Sequence, residues 1–384
     1  MAKVIIMQEN KHQKHAAITK PVGGRFHRNE WTVIGAACHQ LDKFVEQMSN
    51  KLSDDTISTG YLDMSHRSED MKEESACRYE DKIDHWVLKA RANLYERDYR
   101  KYFNHLDLLF VNGNHYKGDQ QIVFVTEKKK ESLQRKLDRL TNVRMFLLDN
   151  DQEAIHEYLN DFYSENTAVF RLDEADKIAS YILECHQAQL PRVKGLVLNG
   201  GKSQRMGFSK GDINYHGKTQ KEVEADMLDK FCTKTYFSLS GETNGIQNSS
   251  YEAIIDSFSG LGPYGGILSA FREDPNSAWL TLACDLPYID ESVIEQLITH
   301  RNPSKLATCF YNPETHFPEP LITLWEPRAY PVLLDFMSQG YSCPRKVLIN
   351  SDIEMIKMDE PVKMKNANTP EEKSVAEAYI KSNS

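Results

Sequence analysis

The chain has 384 residues, more than one ordinary domain needs, and its 40% hydrophobic and 27% charged residues are the composition of a globular protein with a buried core. A formal net charge of −9 excludes a general nucleic-acid binder, which needs a basic face, but leaves room for a local cationic pocket. No apolar run reaches bilayer length, the stretch MAKVIIMQENKHQKHAA has no apolar signal core, and the seven cysteines are scattered without a C-x-x-C pair. The expectation is a cytoplasmic protein with reduced thiols, no membrane contact and no structural zinc.

In the first half, residues 31–34 form an apolar strand, and Leu41, Phe44, Val45 and Met48 then recur at helical spacing. Residues 59–64 read as the next strand. Residues 65–101, rich in charge, read as an exposed helix or insertion. LDLLFVNG (106–113), QQIVFVTE (120–127) and VRMFLLDN (143–150) read as buried parallel strands. A polar helix is predicted over KKKESLQRKLDRL, and another over 173–189. Strands alternating with helices predict a layered α/β domain over residues 1–190.

The pattern restarts after Pro191-Arg192. A strand over 193–198 precedes a glycine-bearing polar loop, and a helix over 220–231 aligns Val223, Met227 and Phe231. TYFSLS (235–240), YEAIIDS (251–257) and WLTLACDLP (279–287) read as further strands. Residues 191–384 are therefore predicted to be a second α/β domain with a mainly parallel sheet.

Chemistry concentrates where the strand 193–198 ends. Gly200 and Gly201 are followed within ten residues by Lys202, Arg205 and Lys210. A strand, a glycine loop and a helix present backbone N–H groups to an anion at a sheet's carboxyl edge. No G-x-x-x-x-G-K-[ST] occurs, so this is not a P-loop. On residues alone, a tight turn with solvated lysines reads equally well. Asp285 reads also as a strand-end cap, Asp256 as a turn residue and Arg345 as a surface residue. Asn366 and Asn368 read also as turn formers before a helix begun by Thr369-Pro370-Glu371. Cys284 reads as a small buried apolar residue, and His115 as part of a polar turn.

The order of these motifs closely resembles the signature of the molybdenum cofactor guanylyltransferase family. LNGGKSQRMG with SKG and HGK, IIDSFSGLGPYGGILSAF, CDLPYI, and Arg345 with NANTPEE resemble four ordered family motifs across residues 193–372. The resemblance implies a Rossmann-like nucleotidyltransferase that moves GMP from GTP to molybdopterin and releases pyrophosphate. It implies that Leu198, Asn199, Gly200 and Gly201 lie against the nucleotide, and that Arg205 and Lys210 meet the triphosphate. It further implies that Asp285 holds Mg²⁺, that Ser238 and Asp256 face guanine, and that Arg345 and Asn368 belong to the site. The sequence departs from the family pattern at Ser209, Asn199 and Ser238, and the glycine loop is one residue short.

HLDLLFVNGNHYKGDQQIVFVTE in the first half resembles the molybdopterin-guanine dinucleotide adaptor family. The segment VIGAACHQLDKF keeps Gly35 but no P-loop lysine, and Asn112 stands where that family has an acid. This half is expected to dock a molybdoenzyme or its chaperone, or to shape a surface for the pterin, without hydrolysing nucleotide. Two other readings stay open: a cytidylyl or sugar-1-phosphate nucleotidyltransferase, and a non-catalytic escort that binds nucleotide or cofactor.

Overall fold

Alternating apolar runs and amphipathic segments build two separate sheets with their own cores. The computed structural model describes residues 25–26, 28–64, 77–90, 101–198, 218–240, 250–367 and 369–383. The first half contributes β1 (Asn29–Ile34), β2 (Thr59–Leu62), β3 (Cys77–Asp81), β4 (Trp86–Ala90), β5 (Leu108–Asn112), β6 (Gln120–Val125), β7 (Val143–Leu148) and β8 (Ala168–Arg171). Six of these form one sheet in the order β2-β5-β1-β6-β7-β8, with every pair parallel. Helices Cys38–Ser53 and Ala175–Ala188 cover one face, burying Leu41, Phe44, Val45 and Met48 with Ile178 and Ile182 against Val33, Phe110 and Phe124. Leu133, Leu140 and Leu159 cover the other face against Val123, Val125 and Phe146.

Two expectations for this half are corrected. Residues 77–90 are not helical: β3 and β4 pair antiparallel as a separate two-stranded sheet, closed by a bond from Lys82 N to His85 O of 2.8 Å. The polar helix over 128–140 is broken into a short helix, Lys130–Gln134, between two single turns. The end of the segment is also tied to β6: Gln121 Nε2 donates to Arg139 O at 2.6 Å, and its Oε1 accepts from Thr141 N and Asn142 N.

The second half contributes β9 (Val193–Leu198), β10 (Thr235–Leu239), β11 (Glu252–Ile255), β12 (Ala278–Ala283), β13 (Ala307–Asn312), β14 (Phe317–Trp325) and β15 (Glu354–Lys357). They form one sheet in the order β11-β10-β9-β12-β14-β13-β15. Only β14 runs antiparallel to its neighbours, so the sheet is mainly parallel, as expected. Along β9 and β12 the side chains alternate between two cores. Val193, Val197, Leu280 and Leu282 meet helices Gln220–Asp229 and Glu291–Thr299. Leu196, Leu198 and Trp279 meet helices Pro263–Glu273, Ala329–Ser338 and Pro344–Ile349. Burying each such side chain contributes about 1.5–3 kcal/mol. In helix Gln220–Asp229 the buried centre is Glu224, Ala225 and Leu228, with Met227; the predicted Val223 and Phe231 pack at its rim.

The halves meet at a buried seam. Arg328 Nη2 donates to Asp107 Oδ1 at 2.5 Å, with side chains 4% and 0% exposed. Arg328 Nη1 reaches His105 O and Ser304 O, while Asp107 also accepts from Ser58 N and Oγ. Burial by itself pushes the Asp107 carboxyl up, but Arg328 and the Ser58 bonds outweigh it and hold Asp107 below the ordinary value.

Candidate active site at the carboxyl ends of the second sheet

From β9 the chain passes to β10 on one side and returns as β12 on the other. Numbered from β9, the first four strands lie in the order 3-2-1-4, which opens a crevice at the carboxyl ends where the order reverses. Leu198 ends β9 there, paired with Ser238 on one side and Ala283 on the other.

On the β10 side, Ser238 is buried and its Oγ donates to Asp256 Oδ1 at 2.8 Å. Asp256 N is in turn held by Leu239 O at 2.8 Å. Partial burial pushes the Asp256 carboxyl up, and the Ser238 bond opposes this. The first turn of helix Pro263–Glu273 sits directly over the pair. A Cβ on Gly266 would lie 2.4 Å from Ser238 Oγ and 3.0 Å from Leu198 Cδ2, so only glycine lets this helix seat. That is the physical content of the GPYGG segment.

On the β12 side, Cys284 and Leu286 are buried in the core and carry Asp285 between them. Two bonds fix the turn. Ala367 N donates to Asp285 O at 3.0 Å, and Gln220 Nε2 donates to Leu286 O at 3.1 Å. The same Gln220 nitrogen reaches Glu224 Oε1 at 3.0 Å. Glu224 is wholly enclosed, and desolvation drives its carboxyl far up; the Gln220 bond opposes this and the charge of Asp285 adds to it.

A cavity of about 760 Å³ opens from Asp285 towards the β13–β14 hairpin and helix Pro370–Asn383. Arg345 and Asn366 line it with Asp285. Arg345 is thus a cavity residue, 3.6 Å from Glu319. Asn366 belongs to the segment that Ala367 pins to Asp285, and helix Pro370–Asn383 starts with a reciprocal cap: Thr369 Oγ1 accepts from Glu372 N, and Glu372 Oε2 from Thr369 N.

Of the predicted site residues, Ser238 and Asp256 are in direct contact beside Leu198, and Asp285 shares a cavity with Arg345. Asn199, Gly200, Gly201, Arg205, Lys210 and Asn368 lie outside the described residues. Sequence reasoning missed Gln220 and Glu224, because a polar residue on a helix carries no sign of facing inward. It also missed Glu319, whose hairpin was not read as paired strands. The spacing of Gly265 and Gly266 at a helix start was the legible sign of a close contact.

This sheet order and edge crevice define a doubly wound α/β domain of the ligand-binding kind. Residues 195–353 match the MobA-like NTP transferase domain. The chain is 36% identical over 179 residues to the molybdenum cofactor biosynthesis bifunctional protein of Synechocystis sp., a match covering 46% of this chain and 52% of that protein. It therefore spans about half the length of that relative. It is 28% identical over 198 residues to the "Probable molybdenum cofactor guanylyltransferase" of Methanocaldococcus jannaschii, covering 47% of this chain and 96% of that one. Among solved structures, it resembles molybdopterin-guanine dinucleotide biosynthesis protein A from Archaeoglobus fulgidus at 24% identity and a TM-score of 0.43, over 49% of this chain and 99% of that chain.

Proposed function

We propose that this protein transfers GMP from GTP to the terminal phosphate of molybdopterin and releases pyrophosphate. The observation that carries this reading is the Ser238–Asp256 pair beside Leu198, at the sheet edge one strand away from the turn that bears Asp285. Ser238 occupies one carboxylate oxygen of Asp256. The other is left to accept from guanine N1–H and the 2-amino group, a donor pair that cytosine lacks. The name of the Methanocaldococcus jannaschii relative, a probable molybdenum cofactor guanylyltransferase, supports the same reading.

The roles follow from this reading. Leu198, Asn199, Gly200 and Gly201 lie against the nucleotide, and Arg205 and Lys210 carry charge on the triphosphate. Among the described residues no group of three or more His, Cys, Asp or Glu side chains forms a metal site. A single carboxylate beside substrate phosphates nevertheless suits Mg²⁺, which keeps most of its shell as water and phosphate oxygen. Asp285 would hold that ion, and the ion supplies positive charge to the departing pyrophosphate. The acceptor phosphate oxygen bonds to the α-phosphorus as the bond from that phosphorus to the bridging oxygen of pyrophosphate breaks. No residue need form a covalent intermediate. Gln220 and Ala367 fix the Asp285 turn before substrate arrives. Arg345 and Asn368 serve the acceptor side. We read residues 1–190 as an adaptor unit that hydrolyses no nucleotide and meets a molybdoenzyme or its chaperone, residues 191–384 as the transferase unit, and the site of action as the cytoplasm.

The test is pyrophosphate release with molybdopterin and Mg²⁺, comparing GTP with CTP and wild type with Asp285→Ala. We expect release with GTP alone and a loss of about 100-fold or more in the variant. Release with CTP, or an unchanged rate in Asp285→Ala, would overturn the assignment.

A further inference from the structure

The cavity beyond Asp285 does more than admit an acceptor. At about 760 Å³ it has the size of a small-molecule site. Its wall combines three features. Tyr288 and Tyr379 face each other edge to face at 5.1 Å and 74°, giving a flat heterocycle an aromatic surface. Arg345 and Lys365 provide cations on the same wall as Asp285. Glu319, with a side chain only 13% exposed, provides a shielded carboxylate.

The partners of Glu319 leave it room to bind. Oε2 accepts from Asn312 Nδ2 at 3.1 Å and lies 3.6 Å from Arg345 Nη2. Oε1 has only a long contact of 3.4 Å from Leu321 N. A carboxylate has about four lone-pair positions, so capacity remains. The neighbouring groups also hold it in place, as a recognition group must be held.

Among the described residues acids outnumber bases along this wall, since Asp285, Glu314, Glu319, Glu371 and Glu372 line it with Arg345 and Lys365. A phosphate-only ligand would suit the reverse. A reduced pterin suits what is there, because its ring carries N–H donors at N3, N5, N8 and the 2-amino group, with its phosphate on a side chain.

We propose that Glu319 is the specificity-determining residue for the acceptor. Its carboxylate pairs with the N3–H and 2-amino edge of a pterin that lies against Tyr288 and Tyr379, with the phosphate-bearing side chain directed to Asp285. This rests on the guanylyltransferase reading and adds what the acceptor site recognises. Two carboxylates then read two similar edges: Asp256 the guanine, on one side of β9, and Glu319 the pterin, on the far side of β12.

Fluorescence titration of the full chain with pterin-6-carboxylate and with lumazine-6-carboxylate tests it. Lumazine keeps the ring but replaces the 2-amino group by a carbonyl. Wild type is expected to bind the pterin about tenfold more tightly than the lumazine. Glu319→Gln should lose about tenfold in pterin affinity and lose the preference, whereas Glu319→Asp should keep the preference at weaker affinity. Tyr379→Ala should weaken both ligands alike. GTP affinity by calorimetry should be the same in all four proteins, which also reports an intact fold. Equal pterin affinity in wild type and Glu319→Gln, or no pterin binding by wild type, overturns the proposal even where GTP binds normally. A pterin preference that depends on Glu319 in a protein that binds no GTP upholds this assignment and removes the guanylyltransferase reading instead.

Discussion

The two sheets present the same kind of crevice and use it differently. Each has a central strand, β1 or β9, from which the chain leaves to one side and returns on the other. At the end of β1 the backbone turns at Gly35, whose φ is 98° and whose missing Cβ would lie 2.4 Å from Phe124 O, and helix Cys38–Ser53 begins almost at once. The polar groups at this edge satisfy one another. Asn112 Nδ2 donates to Asp63 Oδ1 at 2.7 Å and approaches Cys38 Sγ, while its Oδ1 accepts from Asn114 N. Lys136 donates to Asn114 Oδ1, and Arg139 to Gly113 O and Asn114 O. Burial, then the neighbouring Arg139 and Lys129, pull the Lys136 ammonium below its ordinary value. The space left is about 250 Å³, against about 760 Å³ beside Asp285. A parallel sheet supplies the crevice by topology, but the residues at its lip decide whether it closes on itself or stays open to a ligand.

The largest expected effect concerns whether the two halves can be compared as separate units at all. Arg328 and Asp107 form a buried pair across them. Removing one partner of such a pair leaves an uncompensated charge, so Arg328→Met should cost about 3–5 kcal/mol in denaturant unfolding. Adding Asp107→Asn should restore much of that. Two separated transitions in Arg328→Met would mark two independent folding units joined by the seam. A single transition at an unchanged midpoint would mean that the seam contributes nothing.

A smaller effect separates the crevices by function. Asp256→Asn removes the carboxylate that Ser238 holds at the open edge. GTP affinity by calorimetry should fall about tenfold, with CTP unaffected. Asn112→Ala at the closed edge should leave both nucleotides unaffected and cost about 1–3 kcal/mol of stability by stranding its partners. If Asn112→Ala lowers GTP affinity and Asp256→Asn does not, the comparison is reversed.

The comparison also marks what a sequence yields. Buried parallel strands are apolar runs of the right length, and β5, β6, β7, β9 and β12 were legible for that reason. Thr369-Pro370-Glu371 announced a helix start, and the structure closes it with a reciprocal cap between Thr369 and Glu372. Asp285 and Arg345 were singled out through the family resemblance, and they line one cavity. What was not legible depends on distant partners. Gln121 in β6 is tied to Arg139, Thr141 and Asn142, a pairing that the polar segment 128–140 does not announce. Glu224 looks like any surface glutamate of a helix until Leu286 and Asp285 are placed beside it. Glu319 acquires its surroundings only when β13 and β14 pair.

The smallest effect distinguishes the halves by the sign of their pH dependence. His186, buried in the first half against Asn29, is held below its ordinary value of 6.5 mainly by desolvation. As pH falls below about 6.5 the unfolded chain takes up that proton before the folded one does, so stability drops on the acid side. Glu224 in the second half is raised far above 4.5. As pH rises from there the unfolded chain releases a proton that the folded one keeps, so its contribution falls towards the alkaline side. Melting temperatures measured from pH 5 to pH 9 should therefore respond in opposite ways. His186→Gln should flatten the acid limb and leave the alkaline limb alone. Glu224→Gln should raise the melting temperature relative to wild type by an amount that grows with pH, at about 2–4 °C for each kcal/mol. A gain from Glu224→Gln that shrinks as pH rises would mean that the folded protein does not hold the Glu224 carboxyl above its ordinary value.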